Sequence, residues 1–190
     1  MRTHKASSVT EDGKPDGFVV PLQYCPEVSP DGTTRLKISA GPADLPRVHR
    51  ALITAMGDKL GVLYIQLTDR RAGRHLAEKP NRFLAVEIPV AHVLATFSGC
   101  EDLLYGDGRG QVWVRGMLGE QLILDEMGVI YAYPDDPMYR DALEAEAVPK
   151  DKAQSLDERD YVRVEFMASA DAQEDKLMGD LRLQPWTDGS

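Results

Sequence analysis

The chain has 190 residues, with 22 Lys+Arg against 31 Asp+Glu, a net charge of −9, and 43% hydrophobic and 28% charged residues. Such a composition suits one globular domain with a real core and excludes collagen-like, coiled-coil and low-complexity chains. No apolar run reaches the ~18 residues of a membrane span, and the two cysteines, Cys25 and Cys100, make no disulfide framework.

Residues 1–17 are polar, with little to bury, and read as a mobile leader. They contain no apolar stretch of a secretory signal, so the expected location is cytoplasmic with reduced thiols. Residues 18–28 form a broken strand, confined to a sheet edge by Pro21 and Pro26. A Ser29-Pro30-Asp31-Gly32 turn leads into a second arm at residues 35–40, where Leu36 and Ile38 alternate with polar neighbours.

A helix follows, with Asp44 as its cap and Pro42 and Pro46 near its start. Leu45, Val48, Leu52, Met56 and Leu60 make one apolar stripe, and Gly61 ends the helix. Residues 61–68 read as a strand, 69–82 as a basic loop and 83–88 as a strand. Pro89 then opens a helix whose buried face is Val90, Val93, Leu94 and Phe97. Three short strands come next, at 111–118, 120–125 and 129–133, the last two joined by the Asp125–Gly128 turn. Asp136-Pro137 starts a helix through Tyr139, Leu143 and Ala147. After a charged linker, residues 161–167 place Val162, Val164 and Phe166 inward. Ser169 caps a final helix through Leu177, Met178 and Leu181, acidic early and basic late, as the helix dipole favours.

The predicted fold class is therefore α+β: a mostly antiparallel sheet of about six to eight strands with about four helices packed against it. Residues 18–183 form the single domain, and 184–190 a C-terminal tail.

Candidate chemistry is sparse. Leu122-Ile123-Leu124-Asp125-Glu126 has the form of a magnesium-holding strand, but no Gly-Lys-Ser/Thr loop accompanies it. Gly106-Asp107-Gly108-Arg109-Gly110 could form an anion nest, yet a strand follows it where a dinucleotide site needs a helix. Asp107 and Arg109 can instead pair and hold a turn. His4, His49, His75 and His92 show no zinc spacing, and no EF-hand or nucleophile elbow occurs. Neither metal nor cofactor is expected.

The charge is unevenly placed. Residues 1–100 carry 13 Lys+Arg against 10 Asp+Glu, and residues 101–190 carry 9 against 21. Either the halves interleave, or the acidic half presents a surface to a basic partner. Its sign argues against extended nucleic-acid binding, which needs many cations on phosphates. In the basic loop, Arg70, Arg71, Arg74, Lys79 and Arg82 face the single acid Glu78. They suit an external carboxylate or phosphate, or the chain's own acidic half. Period-2 geometry sets Leu63, Ile65 and Leu67, with Leu84, Val86 and Ile88, on apolar faces. It collects Tyr64, Gln66, Glu87, Trp113 and Arg115 opposite them, with Tyr131 and Tyr133 sharing a face of their own. Adjoining, these would make an aromatic and arginine surface of the kind found at interfaces or ligand clefts, unless a second helix layer covers it.

The leading expectation is a non-enzymatic protein-binding module of the inhibitor, immunity or adaptor kind. It would use the acidic surface and the Trp113, Arg115, Tyr64, Tyr131 and Tyr133 face, with Arg70, Arg71, Arg74 and Arg109 as further contacts. The alternative is an enzyme for a phosphorylated or carboxylated small molecule, with Glu87 as general base if burial raises its pKa. A third is a structural subunit of a larger assembly.

Overall fold

The computed structural model describes residues 4–69, 74–75, 79–164 and 167–187. Its strands are β1 (Ala6–Ser8), β2 (Gln23–Val28), β3 (Thr34–Ser39), β4 (Lys59–Gln66), β5 (Thr68–Asp69), β6 (Arg74–His75) and β7 (Asn81–Pro89). They continue with β8 (Gly110–Gly116), β9 (Gln121–Leu124), β10 (Ile130–Tyr133), β11 (Tyr161–Arg163) and β12 (Gln184–Pro185). The helices are α1 (Leu45–Ala55), α2 (Val90–Ser98), α3 (Pro137–Ala145) and α4 (Ala168–Asp180), with a π-helical turn at Asp102–Gly106 and a short 3-10 turn at Leu156–Glu158.

Eight strands form one antiparallel sheet in the order β12-β7-β4-β8-β9-β10-β3-β2, and β1 pairs with β11 in a separate ribbon. The fold is mixed α+β. The proline-bearing β2 lies at one edge, where Pro26 removes no donor that a further strand would need.

Alternation along the strands sets one layer of core. Leu36 and Ile38, Ile130 and Ala132, Leu122 and Leu124, Val112 and Val114, and Val62 and Tyr64 lie in register on one face. They pack with Leu45, Val48 and Leu52 of α1, Phe97 of α2, Leu143 of α3 and Leu177 of α4. Each such side chain contributes about 1.5–3 kcal/mol by leaving water. The helices thus cover this inner face, and the aromatic residues of the outer face do not lie beneath a second helix layer.

Several boundaries differ from those expected. α1 stops at Ala55, because Gly57 takes φ +96 and turns the chain, so Leu60 joins β4 and not the helical stripe. Asp44 sits at the N-cap without capping, and pairs with Arg47 instead. α4 starts at Ala168, and Ser169 makes no cap. Asp107, from the glycine turn, accepts a hydrogen bond from the Met167 amide just before it. Val162 is half exposed, since β11 pairs with β1 outside the main sheet.

Residues 4–9 are not a free leader. Ala6, Ser7 and Ser8 pair with Arg163, Val162 and Tyr161, and Lys5 is buried with its ammonium donating to the Gly110 carbonyl at 2.7 Å. Similarly, Gln184 and Pro185 extend the sheet beside Leu84 and Phe83, so the expected tail begins as an edge strand. Among the described residues no helix is long and apolar enough to cross a membrane.

Candidate functional site

The uneven charge is partly interleaved. Lys37 pairs with Asp157 and Glu158, Arg47 with Glu146, Arg50 with Glu101, and Asp16 with Arg159. Each pair joins the first half of the chain to the second. Asp141 and Glu144 on the outward side of α3 remain exposed without an ion pair among the described residues. The acidic surface is therefore smaller than the sequence total implies. Of the basic loop, Arg70 and Arg71 lie outside the described residues, and Arg74 is placed by its backbone pairing with Asp69.

The glycine turn before β8 is a folding device. The Arg109 side chain is 0% exposed and bidentate on Asp107, at 3.0 and 2.8 Å. It also donates to Asp171 at 2.7 Å and lies 3.6 Å from Glu174. Burial opposes its charge, but these carboxylates outweigh burial and hold the guanidinium above its ordinary range. Arg109, expected as a possible ligand contact, is thus enclosed and offers no surface to a partner.

Tyr64 belongs to the same network. Its hydroxyl donates to Glu174 at 2.6 Å, and Gln66 donates to the same oxygen at 3.0 Å. Asn81 donates to Gln66 at 2.9 Å and reaches the mouth of a cleft of about 540 Å³ walled by Phe83 and Met178. Burial and the neighbouring Glu174 push the Tyr64 phenol upward, so it stays a donor. Tyr64 therefore faces the helices, on the opposite side of the sheet from Trp113. Period 2 separates the two faces of a strand without saying which one the helices cover. Here α4 brings Glu174 to the Tyr64 side.

Glu87 is also apart. A bulge in the β4–β7 pairing lies between Leu60 and Val62, and Glu87 takes φ +57 there. Its side chain is 65% exposed, 3.7 Å from Lys59. The burial required for a general base is absent. The same bulge explains why Ile88 points into the core while Leu84 lies on the other face.

The outer face does bring together Trp113, Arg115, Tyr131 and Tyr133. Leu84, Leu63, Trp113, Ile123, Tyr131 and Lys37 form one cross-strand row, and Arg115, Gln121 and Tyr133 another. At the β3 end, Arg35 stacks on Tyr131 at 4.0 Å and Tyr133 at 5.4 Å, and Lys37 reaches the Leu156–Glu158 turn. That end is covered. The β7–β4–β8 end is open, with a groove of about 300 Å³ lined by Leu63, Leu84, Val86, Trp113, Arg115 and Trp186 among others.

Trp186 was not foreseen, although a tryptophan in a short polar terminus is a visible signal. Its amide donates to the Arg82 carbonyl at 2.9 Å, and the Arg82 guanidinium lies 5.5 Å from its ring. Val86 on β7 lines the groove and is 65% exposed; Met117 and Leu118, on the turn after β8, are also exposed. Lys5, Glu174 and His49 were also unforeseen, since only the tertiary fold buries them.

Among the described residues, no group of three or more His, Cys, Asp or Glu side chains is arranged to hold a metal ion. The chain matches no protein-family model, no curated protein and no solved structure.

Proposed function

We propose that this chain is a non-enzymatic protein-binding module whose contact surface is the open end of the outer sheet face. The observation that carries this reading is the groove between Trp113 and Trp186, lined also by Arg115 and by the largely exposed, apolar Val86. Contiguous exposed apolar surface costs solubility, and monomeric proteins keep it small unless it is used. Tryptophan and arginine are the side chains that dominate interface energetics. The covered β3 end makes the exposure selective: the same aromatic face is sealed by the chain's own Leu156–Glu158 turn at one end and left open at the other.

The enzyme alternative loses support, because Glu87 lies exposed at the bulge and Arg109 is saturated by carboxylates. Affinity capture from source lysate tests the reading. Bait protein is compared with Trp113→Ala and Val86→Asp variants of unchanged melting temperature. Partners retained by the parent and lost from both variants are expected. A retained set unaffected by either substitution contradicts the surface. Val86 is 65% exposed on β7, so its variant tests binding without touching the core.

A further inference from the structure

One wall of the groove is the end of the chain itself. Trp186 follows β12, which pairs with only two of the nine residues of β7. Its amide donates to the Arg82 carbonyl at 2.9 Å, and both residues of β12 are exposed. Upstream, Arg182 takes φ +52, a conformation that side chains other than glycine's disfavour. Leu183 then turns into the core, its amide donating to the Met178 carbonyl at 3.0 Å. The tail thus touches the edge of β7 briefly, after a tight bend.

Antiparallel alternation sets what this edge offers. Because the Arg82 carbonyl accepts from Trp186, the backbone groups of Arg82, Leu84 and Val86 turn toward the tail side, and their side chains share the outer face. Pro185, opposite Phe83, falls at the intervening position, where its missing N–H loses no ladder bond. The tail occupies Arg82 and Leu84 and leaves before Val86. Among the described residues no strand pairs with β7 beyond Leu84 on that side, whereas β4 pairs with the other side as far as Pro89. A sheet edge left in this state is a template for a further strand.

We propose that β7 takes an antiparallel, extended segment of a partner protein that displaces residues 184–187 and continues past Val86. The segment places an aromatic side chain where Trp186 stands and an apolar one four residues earlier, beside Val86. The tail itself shows the chemistry that the edge accepts: main-chain pairing with Leu84 and Arg82, and an aromatic ring on the outer face. By register, the residue of the tail opposite Val86 would be Arg182, and there the chain has already turned away. A longer strand gains the pairing and the apolar contact at Val86, and it displaces only a short terminal stretch. The tail is therefore a weak internal occupant of the site. This inference rests on the binding reading above.

The test titrates the full-length protein and its Trp186→Ala variant into a dye-labelled nonapeptide with Val at position 3, Gln at position 5, Trp at position 7 and Ser or Thr elsewhere, read by fluorescence anisotropy. Removing the tail's own ring should tighten peptide binding at least fivefold. Methylating the peptide's Trp amide, which deletes the counterpart of the Trp186 to Arg82 bond, should weaken it at least tenfold. Equal affinity for the two proteins, or binding indifferent to the methyl group, overturns strand addition. A dimer of the parent that Trp186→Ala abolishes would make the occupant a second copy and overturn the partner segment. If the peptide fails to bind while captured partners still depend on Trp113 and Val86, this inference falls and the binding surface stands. If capture is also insensitive to both, the two fall together.

Discussion

At the scale of single residues, the buried polar groups decide most. Arg109 and Asp107 are both fully enclosed, and a buried pair of this kind stabilises only when its remaining donors and acceptors are filled. Here they are, by Asp171, the Met167 carbonyl and the amides of Arg109 and Met167. His49 is the opposite case. It stacks on Phe97 at 5.9 Å, its Nδ1 lies 3.1 Å from the Tyr105 hydroxyl, and its Nε2 has no partner among the described residues. Burial, with the charges of Lys5 and Arg50, pushes its pKa down to about 3. The unfolded chain, with histidine near its ordinary value, therefore binds more protons, and stability is lost as pH falls from about 6.5 toward 3. Replacing His49 by Gln removes that proton uptake. The urea-unfolding free energy of the variant should fall less steeply between about pH 6 and 4, by up to about 1.4 kcal/mol per pH unit. Parallel pH profiles for the two proteins would show that His49 protonates as readily in the folded state.

At the scale of elements, the N-terminal strand is the clearest departure from what composition suggests. Lys5 reaches Gly110, the Lys5 carbonyl accepts from the Val164 amide, and β1 completes β11. The approach is close: a Cβ on Gly108 would meet the Lys5 carbonyl at 2.8 Å. Deleting residues 1–9 should lower the melting temperature by several degrees, since each kcal/mol shifts a chain of this size by about 2–4 °C. An unchanged melting curve would contradict the seating of β1. Legibility in the sequence followed periodicity. The β8–β9–β10 meander, α2 and the Asp136-Pro137 start of α3 stood out, because alternation, helical spacing and capping are local. Asp136 does cap α3, accepting from the Met138 amide at 2.8 Å. The seating of residues 4–9, the bulge at Glu87 and the turn of Tyr64 toward α4 were not legible. Each depends on a partner more than fifteen residues away. The site divided the same way: Trp113 and Arg115 share a face by alternation alone, whereas Trp186 joins them only through the β12–β7 pairing.

For the whole molecule, the net charge of −9 is a poor guide to the surface that matters. Glu101, Glu146, Asp157 and Glu158 of the acidic half pair with bases of the first half, and the open groove is aromatic with Arg115 in its lining. Local potential, set by nearby charges within a Debye length of about 10 Å, outweighs distant charge for a ligand at the groove. Quenching of the two tryptophans by iodide and by caesium measures that potential directly, with no partner needed. Both rings line the groove, so iodide should quench more strongly than caesium despite the molecule's negative charge, and Arg115→Glu should narrow the difference. Stronger quenching by caesium, or emission that neither ion reaches, would contradict an open aromatic groove with Arg115 in its lining.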